Sequence, residues 1–221
     1  MKFLAAVIIL ILINLKVSGQ GHFIGIIGGA SSSNVSSKSF PSNNDSRQAF
    51  TGGLTYSYVF KNHVTTEVDL IFSQRGFSNH AIFTDNTGEP TGGKAAYKYN
   101  YNYLSLPIKT GYTIGSKLYG FGNVGVIPSL LIKAETILPV FGGEGTITGS
   151  ETVEITDHVK KIDIAGQVQI GAGYMFYKNL GLFSTLGYQR SLTTFTSSDY
   201  FPESRIRHKG GSLCMGVKYR L

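Results

Sequence analysis

Seven charged or amide side chains stand at alternate positions among apolar residues of this chain, namely Glu67, Asp69, Arg75, Lys109, Gln167, Gln169 and Lys218. Successive side chains of a strand face opposite sides, so the alternation places these groups on the face opposite the apolar one. Charges removed from water are tolerated only when they are paired or hydrogen-bonded. The pattern therefore predicts a structural network of ion pairs, and a gated ion path through the same groups is the alternative.

Catalytic chemistry has less support in the sequence. The five histidines are widely separated and lack the short spacings of a zinc site: His22, His63, His80, His158 and His208. His208 and Ser212 share a strand face, and with Glu203 they would form a hydrolase trio. Residues four apart on a strand are about 13 Å from each other, too far for a direct hydrogen bond. We expect no catalytic residue, no metal site and no cofactor.

The N-terminus has the layout of a secretory signal peptide. Lys2 supplies a positive charge, residues 4–13 are all apolar, and Lys16-Val-Ser-Gly19 precedes a plausible cleavage site before Gln20. The apolar run is shorter than the roughly 18 residues that a membrane helix requires. We therefore expect a signal peptide at residues 1–19 and one mature domain at residues 20–221.

The composition is unusual for a water-soluble domain. Only 15% of the residues are charged, against about 25% in typical domains. Gly accounts for 28 residues, Tyr for 13 and Phe for 14, while Trp is absent. The formal charge of +7 falls to +5 without Lys2 and Lys16. The remaining cations are scattered, so nucleic acid is not an expected partner.

Alternating patterns predict eight strands, at about residues 23–30, 50–60, 64–75, 99–114, 117–132, 162–176, 180–194 and after Arg207. The last nine residues alternate without a break from Leu213 to Leu221. Long connections at about 31–49, 76–96, 133–158 and 195–207 alternate with short turns. Strict alternation of long and short connections is typical of outer-membrane barrels. The sequence predicts an all-β, eight-stranded antiparallel up-and-down transmembrane β-barrel.

Alternation alone does not say which face of the strands points inward. A secreted lipocalin-like barrel, with apolar residues inside around a ligand, is the soluble alternative. Gly, Gln and Asp on the less apolar face, the low charge and the last strand favour lipid outside. In that arrangement, aromatic residues form a girdle near the periplasmic interface: Tyr56, Tyr58, Phe60, Tyr112, Tyr119, Tyr174, Phe176 and Tyr219.

Four short motifs, in this order and spacing, resemble the PorT-like outer-membrane β-barrel family along nearly the whole mature chain. They are Gly25-Ile-Ile-Gly-Gly-Ala30, Phe72-Ser-Gln-Arg-Gly76, Tyr103-Leu-Ser-Leu-Pro-Ile-Lys109 and Gly171-Ala-Gly-Tyr174. Strand five carries Gly122-Asn-Val-Gly125 and matches the pattern less closely. The resemblance implies an eight-stranded outer-membrane barrel, with some relatives linked to protein secretion, and it fixes no biochemical activity.

These patterns lead to one functional expectation. An eight-stranded barrel has an interior only wide enough for side chains, which argues against a general porin. We expect a non-enzymatic outer-membrane protein with a structural or interaction role, in contact with membrane lipid and lipopolysaccharide. Its long extracellular loops would meet envelope proteins, including those of a secretion-linked assembly. A narrow gated channel, a lipid or peptide hydrolase and a secreted lipocalin-like binder are the alternatives.

Overall fold

A computed structural model describes residues 21–36, 44–84, 87–142, 146–196 and 206–221. Ten strands make up most of this part of the chain: β1 (Gly21–Ser36), β2 (Asn44–Val59), β3 (Val64–Thr84), β4 (Pro90–Ser105), β5 (Ile108–Gly115), β6 (Leu118–Phe141), β7 (Ile147–Glu154), β8 (Ile162–Met175), β9 (Leu180–Ser191) and β10 (Arg207–Arg220). The expected signal peptide, residues 1–19, lies outside the described residues. None of the described helices is long and apolar enough to cross a membrane.

The strands close into a ring with eight positions, and every neighbouring pair is antiparallel. The order around the ring is β1, β2, β3, β4 with β5, β6, β8, β9 and β10, and β10 pairs with β1 to complete it. β4 and β5 occupy one position because they form a single crossing interrupted at Leu106-Pro107, where proline cannot donate to the ladder. β7 pairs with the far part of β6. The eight-stranded antiparallel barrel predicted from the sequence is confirmed.

The barrel has two different ends. At the end that we call the turn end, tight connections at 60–63, 116–117 and 176–179 join the strands, and both Gly21 and Leu221 lie there. Gly115 has φ +96° and His63 has φ +66° in two of these turns, a conformation that suits glycine. The opposite end, with the long connections, is the loop end.

The outer wall is apolar and the lumen is polar. Large apolar side chains are exposed on the outer face, including Ile26 at 60%, Leu54 at 53% and Leu70 at 46% exposure. Threonine, serine and charged side chains fill the inner face of the same strands, as at Thr55 and Asp69. This arrangement is the reverse of the lipocalin-like alternative, and it suits a wall surrounded by lipid.

The strands reach further at the loop end than the sequence predicted. Residues 31–36, 44–49, 76–84 and 90–96 belong to strands, whereas the sequence pattern predicted loops there. Most of the predicted 133–158 loop is the remainder of β6 and the antiparallel strand β7. At about 3.3 Å per residue and a tilt near 40°, the 24 residues of β6 rise about 60 Å, roughly twice the membrane thickness. A four-stranded sheet of β3, β4, β6 and β7 therefore projects beyond the barrel.

The predicted aromatic girdle is partly wrong. Phe60, Tyr112, Tyr174, Phe176 and Tyr219 are exposed on the outer wall at the turn end, between 38% and 49%. Tyr58 is buried against two neighbouring rings, those of His22 and Phe60. Tyr119 points into the lumen instead of toward lipid. Tyr119 belongs to β6, where Gly120, Gly122 and Gly125 obscure the alternation of apolar and polar residues.

Candidate functional site

The seven polar residues predicted for the lumen all belong to the inner face of the barrel, but they do not form one network. Glu67, Asp69, Lys109 and Gln169 meet in one cluster, which we call the lysine cluster. Arg75 belongs to a second group nearer the loop end, the arginine cluster. Gln167 lines a cavity beside both clusters, and Lys218 lines a second cavity together with Glu67.

The lysine cluster surrounds a single buried ammonium group. Lys109 is 2% exposed, and its Nζ donates to Glu67 Oε1, lies 2.7 Å from Asp69 Oδ2 and donates to Gln169 Oε1 at 3.1 Å. Glu67 and Asp69 come from alternate positions of β3, and Lys109 pairs directly with Glu67 across the β3–β5 ladder. One cation thus holds two carboxylates that would otherwise repel each other.

The arginine cluster joins three regions of the barrel. Arg75 Nη1 lies 2.6 Å from Asp163 Oδ2, and both side chains are at most 2% exposed. Arg75 Nη2 donates to Ser129 Oγ at 2.9 Å, and its guanidinium lies 4.7 Å from the ring centre of Tyr103. Ser191 donates to Asp163 at 2.7 Å. These hydrogen bonds satisfy a buried charge on each side of the pair.

Sequence analysis missed the partner that matters most to Arg75. Asp163 is not one of the seven residues that the sequence predicted for the network. The signal was available, because Asp163, Gln167 and Gln169 occupy the same face of β8. Its pairing with Arg75, 88 positions earlier in the chain, could not be inferred, since it depends on the stagger of the closed ring.

An apolar core closes the lumen at the loop end, and it was not predicted. Its buried members come from four strands, β1, β3, β4 and β6, and from the connections before β8 and β10: Val35, Phe77, Tyr101, Tyr103, Leu131, Ala134, Val159, Phe195 and Ile206. The connecting segments are held by backbone hydrogen bonds from Lys160 to Phe195 at 2.9 Å and from Phe195 to Ile206 at 3.3 Å. This core fills the interior above the arginine cluster.

His208 belongs to this apolar core and not to a catalytic trio. It is 2% exposed and stacks on Phe195 at 4.1 Å between ring centres, with the ring of Tyr101 at 5.1 Å. Both of its ring nitrogens lack a hydrogen-bond partner among the described residues. Ser212 lines a separate cavity, and Glu203 lies outside the described residues. In the described part of the chain, no group of three His, Cys, Asp or Glu side chains could hold a metal ion.

Small cavities lie inside the described part of the barrel. One of about 70 Å³ lies beside Arg75, Asp69 and Lys109, with room for a few water molecules. Another, of about 30 Å³, lies on the turn-end side of the lysine cluster, where Glu67 and Lys218 line it. Asp69, Gln167 and other lining groups have polar atoms without a protein partner, which water would satisfy. The Glu67–Lys109–Asp69 contacts separate the two cavities.

Glycines make room for the aromatic side chains that narrow the lumen at the turn end. Tyr119 of β6 lies opposite Gly173 of β8, and Phe121 lies opposite Gly171. A Cβ atom on either glycine would overlap the facing ring. Because Gly171 and Gly173 have no side chain, the rings of Phe121 and Tyr119 extend into the lumen. The Nζ atom of Lys218 lies 4.0 Å from the ring centre of Tyr119.

Three solved structures illustrate what the chain is similar to in fold. Neisserial surface protein A (NspA) is 12% identical with a TM-score of 0.47, and the match covers 93% of this chain and 100% of that one. Ail, the attachment invasion locus protein of Yersinia pestis, is 15% identical with a TM-score of 0.43, over 91% and 100% of the two chains. OprG from Pseudomonas aeruginosa is 13% identical with a TM-score of 0.47, over 92% and 97%.

Sequence comparison identifies the family. No curated protein sequence matches the chain. The family model for the outer membrane protein beta-barrel domain matches residues 20–197, most of the sequence. The closed antiparallel ring, the apolar outer wall and the polar lumen agree with this match. The chain belongs to the outer membrane protein beta-barrel domain family, and it is a β-barrel protein of the bacterial outer membrane.

Proposed function

We propose that this protein is a closed, non-enzymatic outer-membrane barrel that uses the sheet projecting from its loop end to bind another envelope protein. In outer-membrane barrels the short turns face the periplasm and the long connections face the exterior. The projecting sheet of β3, β4, β6 and β7 is then extracellular. The observation that carries the proposal is the free edge of β7.

β7 has the properties of a strand that accepts a partner. All eight of its residues are exposed, and within the described residues it pairs only with β6. An unpaired edge offers a row of backbone donors and acceptors to which an extended segment can add. Glu151 and Glu154 lie along this edge, so they favour a partner strand that carries Lys or Arg.

The projecting sheet also carries apolar contact area. Val140, Phe141 and Ile147 at the tip of the β6–β7 hairpin are 41% to 48% exposed. Phe141 contacts Phe83 of β3, with ring centres 5.5 Å apart, so the tips of two hairpins meet. Apolar anchors beside a strand edge are a combination that peptide-binding sheets use.

Site-directed crosslinking in intact cells tests the proposal. A photoreactive residue at Thr152 of β7 should give an adduct with an envelope protein, and one at Lys209, exposed at the loop end of β10, should not. The double substitution Glu151→Lys with Glu154→Lys should reduce the adduct, and the charge-conserving substitution Glu151→Asp with Glu154→Asp should leave it unchanged. Equal adducts at both positions, or none at Thr152, would contradict the proposal.

A secretion-linked assembly is the setting that we propose for this interaction. The PorT-like motif order, above all Tyr103-Leu-Ser-Leu-Pro107, supports it. In this structure the motif includes Tyr103 of the apolar core and the proline that divides β4 from β5. Loss of a secreted protein from the medium after deletion of the gene, restored by the intact gene, would support this setting. Unchanged secretion would exclude it.

Export by a cleaved signal peptide completes the proposal. Residues 1–19 have the charged and apolar regions of such a leader, and the family match begins at residue 20. The mass of the protein purified from outer membranes should equal that of a chain starting at Gln20. A mass that includes residues 1–19 would contradict this step.

A narrow channel is the second candidate, and the two lumen cavities favour it. A path from one end to the other would have to pass the lysine cluster, the arginine cluster and the apolar core. An ion crossing these layers would have to break at least two buried charge pairs, which is costly. Conductance measurements on the reconstituted barrel distinguish the two candidates.

A further inference from the structure

The turn end of the barrel carries a ring of cations. Each of its three short turns contains a lysine, Lys61, Lys117 or Lys178, and β10 adds Lys218 and Arg220. Glu67 lines the small cavity beneath this end together with Lys218, and the other acidic side chains of the described residues lie farther from it. Three acidic side chains face the lumen at mid-barrel, and the others belong to the loop end: Glu67, Asp69, Asp163, Asp45, Glu89, Glu135, Glu151, Glu154 and Asp157.

A recess of about 840 Å³ opens among these cations. Its inner part is lined by Phe23, Tyr119 and Lys218, which also line the small cavity beneath. Its rim includes Lys117, Lys178 and Arg220. The recess therefore combines aromatic walls with positive charge, a combination that suits an anionic ligand with an apolar portion.

Lys218 lies at the base of this recess, between two aromatic rings. Its Nζ lies 4.0 Å from the ring centre of Tyr119 and 4.5 Å from that of Phe23. None of the ion pairs in the described part of the chain includes Lys218. Ring faces stabilise an ammonium without using its N–H donors. Those donors are thus available to an oxygen ligand.

The rim lies at the depth where lipid headgroups meet the barrel. Lys117 Nζ is 5.4 Å from the ring centre of Tyr174, a lipid-facing residue of the girdle, and Tyr177 beside it is 71% exposed. Aromatic girdles mark the membrane–water interface. We propose that the turn-end recess binds the phosphate group of an anionic phospholipid of the periplasmic leaflet, through Lys117, Lys178 and Lys218. The site is independent of the proposed extracellular interaction.

Native mass spectrometry of the full-length barrel in detergent tests this site. Phosphatidylglycerol should remain bound at least about tenfold more strongly than phosphatidylcholine. The triple substitution Lys117→Gln, Lys178→Gln and Lys218→Gln should weaken its binding by about a hundredfold, since each lysine near an anionic surface contributes about a fivefold factor. The matched control, Lys94→Gln, Lys98→Gln and Lys209→Gln, removes the same charge from the loop end and should retain the lipid.

Two further measurements separate loss of the lipid site from loss of folding. A gel shift on boiling verifies that each variant is folded, and the double substitution Lys117→Gln with Lys178→Gln, confined to the rim, should show an intermediate loss. Equal binding of the two lipids, or equal loss in the control variant, would overturn the proposal. Full displacement by millimolar inorganic phosphate would also overturn it, because the site would then take a soluble phosphate.

Discussion

Arg75 and Asp163 form a fully buried ion pair across the lumen, with Nη1 2.6 Å from Oδ2. Their strands, β3 and β8, are not neighbours in the ring, so the pair ties together parts of the wall that no backbone ladder joins. Removing one partner of a buried pair leaves an uncompensated charge, which costs about 3–5 kcal/mol.

Asp163→Leu should therefore lower the free energy of unfolding by about 3–5 kcal/mol, measured by denaturant titration of the barrel in lipid vesicles. The double variant Arg75→Met with Asp163→Leu should recover most of that loss, because neither charge is left alone. The partly exposed Lys133–Glu135 pair provides the control, and Glu135→Gln should cost less than about 1 kcal/mol. Equal losses at the two sites would refute a structural role for the arginine cluster.

The lysine cluster makes a parallel prediction. Lys109→Met leaves Glu67 and Asp69 facing each other in the lumen without a cation, so we expect a loss of about 3–5 kcal/mol in the same titration. Adding Asp69→Asn to this variant should restore part of the lost free energy of unfolding. Gln167→Leu is the matched control in the same region, because Gln167 Oε1 has no partner there, and it should change stability by less than about 1 kcal/mol. A neutral Lys109→Met would show that this cluster is hydrated and not structural.

The glycine–aromatic contacts at the turn end predict a size-dependent defect. Gly173→Val should clash with the ring of Tyr119 and destabilise the barrel by about 1–3 kcal/mol, reducing the fraction that resists unfolding on an unboiled gel. Truncating the ring, in Gly173→Val with Tyr119→Ala, should restore part of the stability, because the clash with the ring is removed and the 2.7 Å approach of the Cβ to Leu182 O remains. Gly122→Val, where a Cβ meets open space, is the control and should fold normally. If the double variant were no better folded than Gly173→Val, the clash would not be the cause.

Because the outer wall lies in lipid, substitution by arginine should destabilise the barrel more at a valine on this wall than at a valine in the projecting sheet. Val168 of β8 lies on the outer face, 53% exposed, near the middle of the barrel, and Val168→Arg should cost about 2–4 kcal/mol in a bilayer. Val153 of β7 lies in the projecting sheet, and Val153→Arg should stay within about 0.5 kcal/mol. The free energy of unfolding of both variants, measured in vesicles, tests where the membrane boundary lies. Equal losses at Val168 and Val153 would contradict the placement of Val168 in lipid and Val153 in water.

The direction of most lumen side chains was predictable from the sequence because a strand has a strict two-residue period. Asp69 and Leu70 are adjacent, and their opposite surroundings, 4% and 46% exposed, follow from that period alone. The partners across the lumen were not predictable. They depend on the stagger of the closed ring, which no local pattern encodes.

The extended loop end was missed for a different physical reason. The residues of β7 are Ile-Thr-Gly-Ser-Glu-Thr-Val-Glu, all exposed, so no buried face imposes an apolar alternation. The ladder with β6 holds this strand in place instead. The direction of Tyr119 was missed because glycines interrupt the pattern of its strand.

Electrical conductance of the purified barrel in planar lipid bilayers tests the central claim, that the lumen is filled and the protein works through its surfaces. The account predicts no unitary current steps, because the apolar core and the two charge clusters block the path in series. Insertion must be shown in the same preparation by a gel shift on boiling. Reproducible steps whose size changes in Lys109→Met would contradict the account and establish a channel.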